Sequence, residues 1–152
     1  MSRLLFSFRG RLNRQPYWLA SIVIIVLMLL LVVLEFGWIA LAMVGEHEFW
    51  ASDATLAIIV ILYIPLLFVA LALAAKRLHD RDKSAWWLLL FYGAPSVLNA
   101  AADWMGDVGF ILYLAGFALM IWALVEIGCL RGTVGPNRYG PDPLAPPMLP
   151  SP

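Results

Sequence analysis

Apolar residues occupy this chain in four runs, at about 17–44, 54–75, 85–102 and 108–128, while polar residues gather at the joints and ends. The alternating apolar and polar segments of a membrane barrel are absent. Helices fit, because a segment in lipid must satisfy its own backbone hydrogen bonds. The second run has 22 residues without a charge. At 1.5 Å rise per residue it reaches roughly 33 Å, enough for a hydrocarbon core of about 30 Å. The third run is shorter and carries Pro95 and Asn99. The pattern predicts an all-α, integral membrane four-helix bundle. It has a short cytoplasmic N-terminal segment, a central charged loop and a turn-rich C-terminal tail. Residues 1–143 make one domain, and the proline-rich stretch 144–152 reads as a mobile tail.

Charge adds an orientation. All ten Lys and Arg residues fall in three segments: Arg3, Arg9, Arg11 and Arg14; Lys76, Arg77, Arg81 and Lys83; Arg131 and Arg138. An even number of spans puts these segments on one side, and cationic loops stay cytoplasmic. Four acids (Asp80, Asp82, Glu126 and Asp142) join them, giving 10 − 4 = +6 inside, and the other six give −6 outside. The reading is a multi-pass protein of the bacterial inner membrane with both termini cytoplasmic. The first run reads as a retained span, since its apolar core exceeds the 7 to 15 residues usual in a cleaved leader. A formal net charge of zero argues against a nucleic-acid partner, and the lone Cys129 permits no intramolecular disulfide.

Within the runs, Trp18, Trp86 and Trp87 lie at cytoplasmic ends and Trp50 and Trp104 at outer ends, as in an interfacial belt. Trp122 lies deeper and is expected against a neighbouring helix. Pro65 and Pro95 should bend their spans. Gly109, Gly116 and Ala123 recur every seven residues, a stripe that lets helices approach closely, within the bundle or across a dimer.

Candidate chemistry is concentrated in the polar segments. At the N-terminus, Phe6, Phe8 and Leu12 could insert into the headgroup layer while arginines meet lipid phosphate. In the island 76–84, a catalytic reading makes His79 a base oriented by Asp80 or Asp82, and a metal reading makes all three ligands. Adjacent residues on a helix point apart, so neither is well supported. The plainer reading is a solvated turn that sets topology and pairs with the other polar segments, Asp80 or Asp82 meeting Arg14 or Arg138. Transport would require a polar cavity reaching Asn99 beside Pro95. No motif for a cofactor or a catalytic centre is present.

Three ordered motifs stand out: Phe8-Arg9-Gly10-Arg11 through Arg14, Tyr17 and Trp18; Arg77-Leu78-His79-Asp80 through Trp86-Trp87; and Gly132 through Asn137 to Tyr139-Gly140-Pro141-Asp142-Pro143. Together they resemble the domain of unknown function 805 family of small bacterial inner-membrane proteins. The resemblance implies a bacterial cytoplasmic-membrane location and brings no activity with it. The expected function is that of a non-enzymatic membrane protein whose cytoplasmic face binds anionic lipid headgroups or a protein partner, with homo-oligomerisation open. The alternatives are an enzyme acting on a phosphorylated or lipid substrate through His79, Asp80 and Asp82, and a small transporter. The candidate surface is Arg11, Arg14, Tyr17, Trp18, Arg77, His79, Asp80, Asp82, Trp86, Trp87, Asn137, Tyr139 and Asp142.

Overall fold

The structure is a computed structural model that describes residues 7–44 and 57–145. The first joint, with Glu46, His47, Glu48, Trp50 and Asp53, lies outside the described residues, as do Phe6 and the tail from residue 146. Helix α1 spans Arg14–Val44. Asn13 precedes it and accepts the first helical bond from Tyr17 N at 3.4 Å. Pro16 falls in the first turn, where a missing N–H costs nothing because those donors have no intrahelical acceptor. Helix α2 is Ile64–Asp80, α3 is Ala94–Trp104 and α4 is Gly109–Ala123.

Both prolines carry the same signature. A π-helical turn precedes each, Ile59–Tyr63 before Pro65 and Leu89–Gly93 before Pro95. Proline deprives the carbonyl four residues earlier of its donor, and widening the helix to i→i−5 bonds restores partners. Ala94 N, for instance, donates to Leu89 O. The expected bend is thus realised as a π turn. A third π turn, Leu124–Cys129, ends α4, and there no proline is involved.

Among the described residues, three segments are long and apolar enough to cross a membrane, by length and composition: Arg14–Leu41, Ile61–Asp80 and Gly106–Cys129. The predicted third span is helical over 87–104 but is not among them. Only 6% of the apolar window of α1 is buried. Leu19, Ile22, Val26, Leu30 and Val33 all lie open on its surface, an arrangement that suits lipid and would be costly in water.

Helices α3 and α4 meet through the glycine stripe. A Cβ on Gly109 would lie 3.0 Å from the Ala102 carbonyl carbon, and one on Gly116 would lie 2.9 Å from Asn99 Oδ1. Only hydrogen fits there, so the stripe faces into the bundle. Asn99, the residue a transport path would need, closes against this contact. Trp122 also sits as expected, edge-on to Trp87 and Phe91 at 5.9 and 5.3 Å.

One end of α2 is enclosed on every side. Residues Ala72 through Asp80 are all buried, and they include Lys76, Arg77, His79 and Asp80. The charged island is therefore half helix, and its helical half is hidden from solvent. Leu12 differs too: it is 5% exposed and joins Ile24, Val69 and Leu73 in a core cluster, so it faces the bundle and not the headgroups. Phe8 stays exposed, as expected of a residue at the headgroup layer, and meets the equally exposed Phe68 edge-on at 5.2 Å.

Candidate functional site

The last turn of a helix leaves up to four carbonyls without intrahelical donors. In this bundle, α2 and the extension of α4 both finish at the same polar end, and side chains from the other segments satisfy their carbonyls. Ile127 O accepts from Arg77 Nε at 2.8 Å, Gly128 O from Trp18 Nε1 at 3.0 Å, and Cys129 O from Arg14 Nη1 at 3.1 Å. Leu130 O accepts from Arg77 Nη2. Cations at a helix C-terminus also meet the negative end of its dipole. The close approach of Trp18 depends on Gly128, whose Cβ would come within 2.7 Å of the indole.

The end of α2 is treated the same way. Asp82 adopts φ 57°, the left-handed conformation that aspartate tolerates better than most residues. This lets Lys83 N reach Leu78 O at 2.9 Å and Asp82 N reach His79 O at 3.0 Å, a Schellman closure. His79 O also accepts from Asn137 Nδ2 at 2.9 Å, and Asp80 O accepts from Thr133 N at 2.8 Å.

Asp80 sits at the centre. Its Oδ1 meets Arg11 at 3.0 Å and its Oδ2 meets Arg77 at 2.5 Å, with all three side chains almost fully buried. The guanidinium of Arg11 continues outward, donating to Thr133 O and Gly135 O at 2.6 Å each. A single arginine from the N-terminal segment thus joins the end of α2 to the C-terminal loop. Gly132 is the point of closest approach, because a Cβ there would overlap the Asp80 carboxylate.

Around this centre, Asp82 pairs with Arg138 at 3.1 Å, the expected meeting of island and C-terminal loop. Arg14 does not take part in such a pair and caps Cys129 instead. His79 stacks flat on Tyr139 at 3.9 Å, its Nδ1 facing Gly10 O at 3.3 Å. Asp142 accepts the N–H groups of Leu144 and Gly135, both at 2.9 Å, and these bonds hold its carboxyl below the ordinary aspartate pKa. Asn137 Oδ1 accepts from Tyr139 N at 2.9 Å and so rigidifies the turn.

Of the thirteen candidates, most converge here. Tyr17 and Trp18 lie one turn farther along α1, Trp87 belongs to the neighbouring aromatic cluster under Lys83 Nζ at 4.4 Å, and Trp86 stands apart, 77% exposed. The catalytic triangle of His79, Asp80 and Asp82 is not formed, since the three face Tyr139, Arg11 with Arg77, and Arg138. Among the described residues no three His, Cys, Asp or Glu side chains group to hold a metal.

Sequence reasoning overlooks Glu126. This buried carboxylate meets Arg81 at 3.0 Å and Lys83 at 2.9 Å. Its signal is available, because a lone acid ending an apolar run is costly unless it is paired.

A family model described as "Protein of unknown function (DUF805)" matches residues 5–141. Inner membrane protein YhaH of Escherichia coli strain K12 is 32% identical over 138 residues, covering 90% of this chain and 87% of that protein. Inner membrane protein YhaI of the same strain is 28% identical over 138 residues, with 90% and 86% covered. Uncharacterized protein YiiR is 28% identical over 142 residues, with 91% and 86% covered. No solved structure matches.

Proposed function

We propose, from the premise that this chain belongs to the DUF805 family, that it is a non-enzymatic inner-membrane protein whose cytoplasmic face recognises anionic lipid. The orientation follows from the placement of every Lys and Arg in three segments, which cationic loops keep inside. The observation that carries the lipid reading is how charge is distributed at the polar end. Asp80, Asp82 and Glu126 are consumed by Arg11, Arg77, Arg138, Arg81 and Lys83. Arg9, Arg14 and Arg131 form no ion pair among the described residues and are exposed. Trp18, a residue typical of the membrane interface, lies one turn along α1 from Arg14. Each such cation contributes about 1 kcal/mol towards an anionic leaflet.

The test is the composition of lipid retained by the purified protein. From nanodiscs of mixed phosphatidylcholine and phosphatidylglycerol, the protein should carry phosphatidylglycerol in excess over the bulk ratio. Replacing Arg9, Arg14 and Arg131 together by Gln should remove the excess. Bulk composition around the unaltered protein would refute the reading and leave a protein partner as the remaining use of this face.

A further inference from the structure

Two of the three exposed arginines face the same cavity. Arg14 and Arg131 line a space of about 220 Å³, along with Asn13, Thr133, Asp80 and Asp142. Asp80 is already held by Arg11 and Arg77, so the walls and their direct partners carry four guanidinium groups and two carboxylates, 4 − 2 = +2. Asp142 spends its oxygens on the backbone N–H groups of Gly135 and Leu144. Among the described residues the Arg131 guanidinium makes no hydrogen bond or ion pair, while its backbone carbonyl is held by Arg81 Nη1 at 2.7 Å. A positive, preformed cavity at the start of a long helix suits an anion with several acceptor oxygens.

A second cavity is lined by residues three positions from those of the first, Tyr17 from Arg14 and Gly128 from Arg131. It has about 330 Å³ and is lined by Tyr17, Phe117, Leu124, Ile127 and Gly128 among others, almost wholly apolar. Arg14 and Tyr17 are three residues apart and so share a helix face. Across from them, Cys129 O binds Arg14 and Gly128 O binds Trp18, so the two cavities adjoin the same short stretch of chain. A free phosphate would use only the first cavity. A phospholipid would use both.

We infer that the two cavities are one phospholipid site, with the phosphodiester between Arg14 and Arg131 and one acyl chain against Tyr17, Phe117 and Leu124. The inference rests on the anionic-lipid reading above and narrows it to a place. The net positive surround favours a headgroup without a compensating cation, such as that of phosphatidylglycerol, over phosphatidylcholine.

The experiment is native mass spectrometry of the full chain released from nanodiscs, counting retained phosphatidylglycerol. Arg131→Gln alone should lower retention about fivefold and the pair Arg14→Gln with Arg131→Gln about 25-fold, roughly fivefold per cation removed. Arg9→Gln, outside the cavity, should change the count less than Arg131→Gln does. Equal loss in all three variants would overturn the site while leaving the anionic-lipid reading intact. No retained phosphatidylglycerol in the unaltered protein would overturn both. Displacement of the retained lipid by inorganic phosphate at millimolar concentration, with no requirement for an acyl chain, would overturn the lipid half and make the site one for a soluble phosphate. Because Arg131 caps nothing with its guanidinium, its variant keeps the test valid if Arg14→Gln destabilises the bundle.

Discussion

Replacing Arg77 by methionine removes the side chain on which most of the polar end depends. Arg77 is 0% exposed, donates to Ile127 O and Leu130 O, and pairs with Asp80 at 2.5 Å. Its loss orphans two carbonyls, each costing about 1–3 kcal/mol if left unpaired. Removing one member of a buried pair costs about 3–5 kcal/mol when nothing takes its place. Here Arg11 still holds Asp80 at 3.0 Å, which brings the ion-pair part to the lower end of that range. Water entering at the polar end can satisfy some of the freed carbonyls. The combined expectation is a loss of about 4 kcal/mol. Arg77→Lys should recover only part of this, because one ammonium cannot span three acceptors that a guanidinium fork reaches together. Equilibrium unfolding of the purified protein in mixed micelles, followed by tryptophan fluorescence, measures the difference. A loss below about 1 kcal/mol for Arg77→Met would place the residue among ordinary surface positions and refute the reasoning.

Three further outcomes follow from the same geometry. Gly132→Ala should destabilise the protein and loosen the C-terminal loop, because the added methyl overlaps a carboxylate pinned by two arginines; unchanged thermal unfolding would contradict this. Cys129 is exposed at the polar end, so a membrane-impermeant maleimide should label it in inverted vesicles and not in intact spheroplasts, and the opposite pattern would reverse the proposed orientation. The Asp142 pKa is depressed in the fold by the Leu144 and Gly135 N–H groups. Its contribution is therefore complete above the unfolded aspartate value of about 3.9 and is lost as pH falls through the folded value. Amide exchange in the 132–145 loop should accelerate on acidification below that window, and in Asp142→Ala it should be fast at every pH.

Much of the fold is legible in the sequence for a simple reason: lipid imposes one requirement on every residue of a span, and hydropathy records it. The glycine stripe on α4 is also readable, since close approach of helices leaves small residues at a fixed repeat. The polar end is harder to read. The residues of the island look solvated because charge usually is, and nothing local shows that Lys76 to Asp80 are buried. Leu12 misleads in the same way: an apolar residue among arginines suits a headgroup layer as well as a core. The π turns are half visible, since Pro65 and Pro95 mark two of them, but the turn at Leu124–Cys129 has no such marker. Asp82 in a left-handed cap hides behind its apparent role as a charge. The individual pairs follow from which carbonyls the helix ends expose, which only the assembled backbone shows.

The central claim is that three segments distant in sequence close as one unit around Asp80, and Arg11 is the side chain that touches all of them. Hydrogen–deuterium exchange of Arg11→Gln in nanodiscs, compared with the unaltered protein, tests this most directly. Removing the bonds to Asp80, Thr133 O and Gly135 O should speed exchange together in 7–14, in 78–84 and in 132–140. Faster exchange confined to 7–14, with the other two segments unchanged, would contradict it.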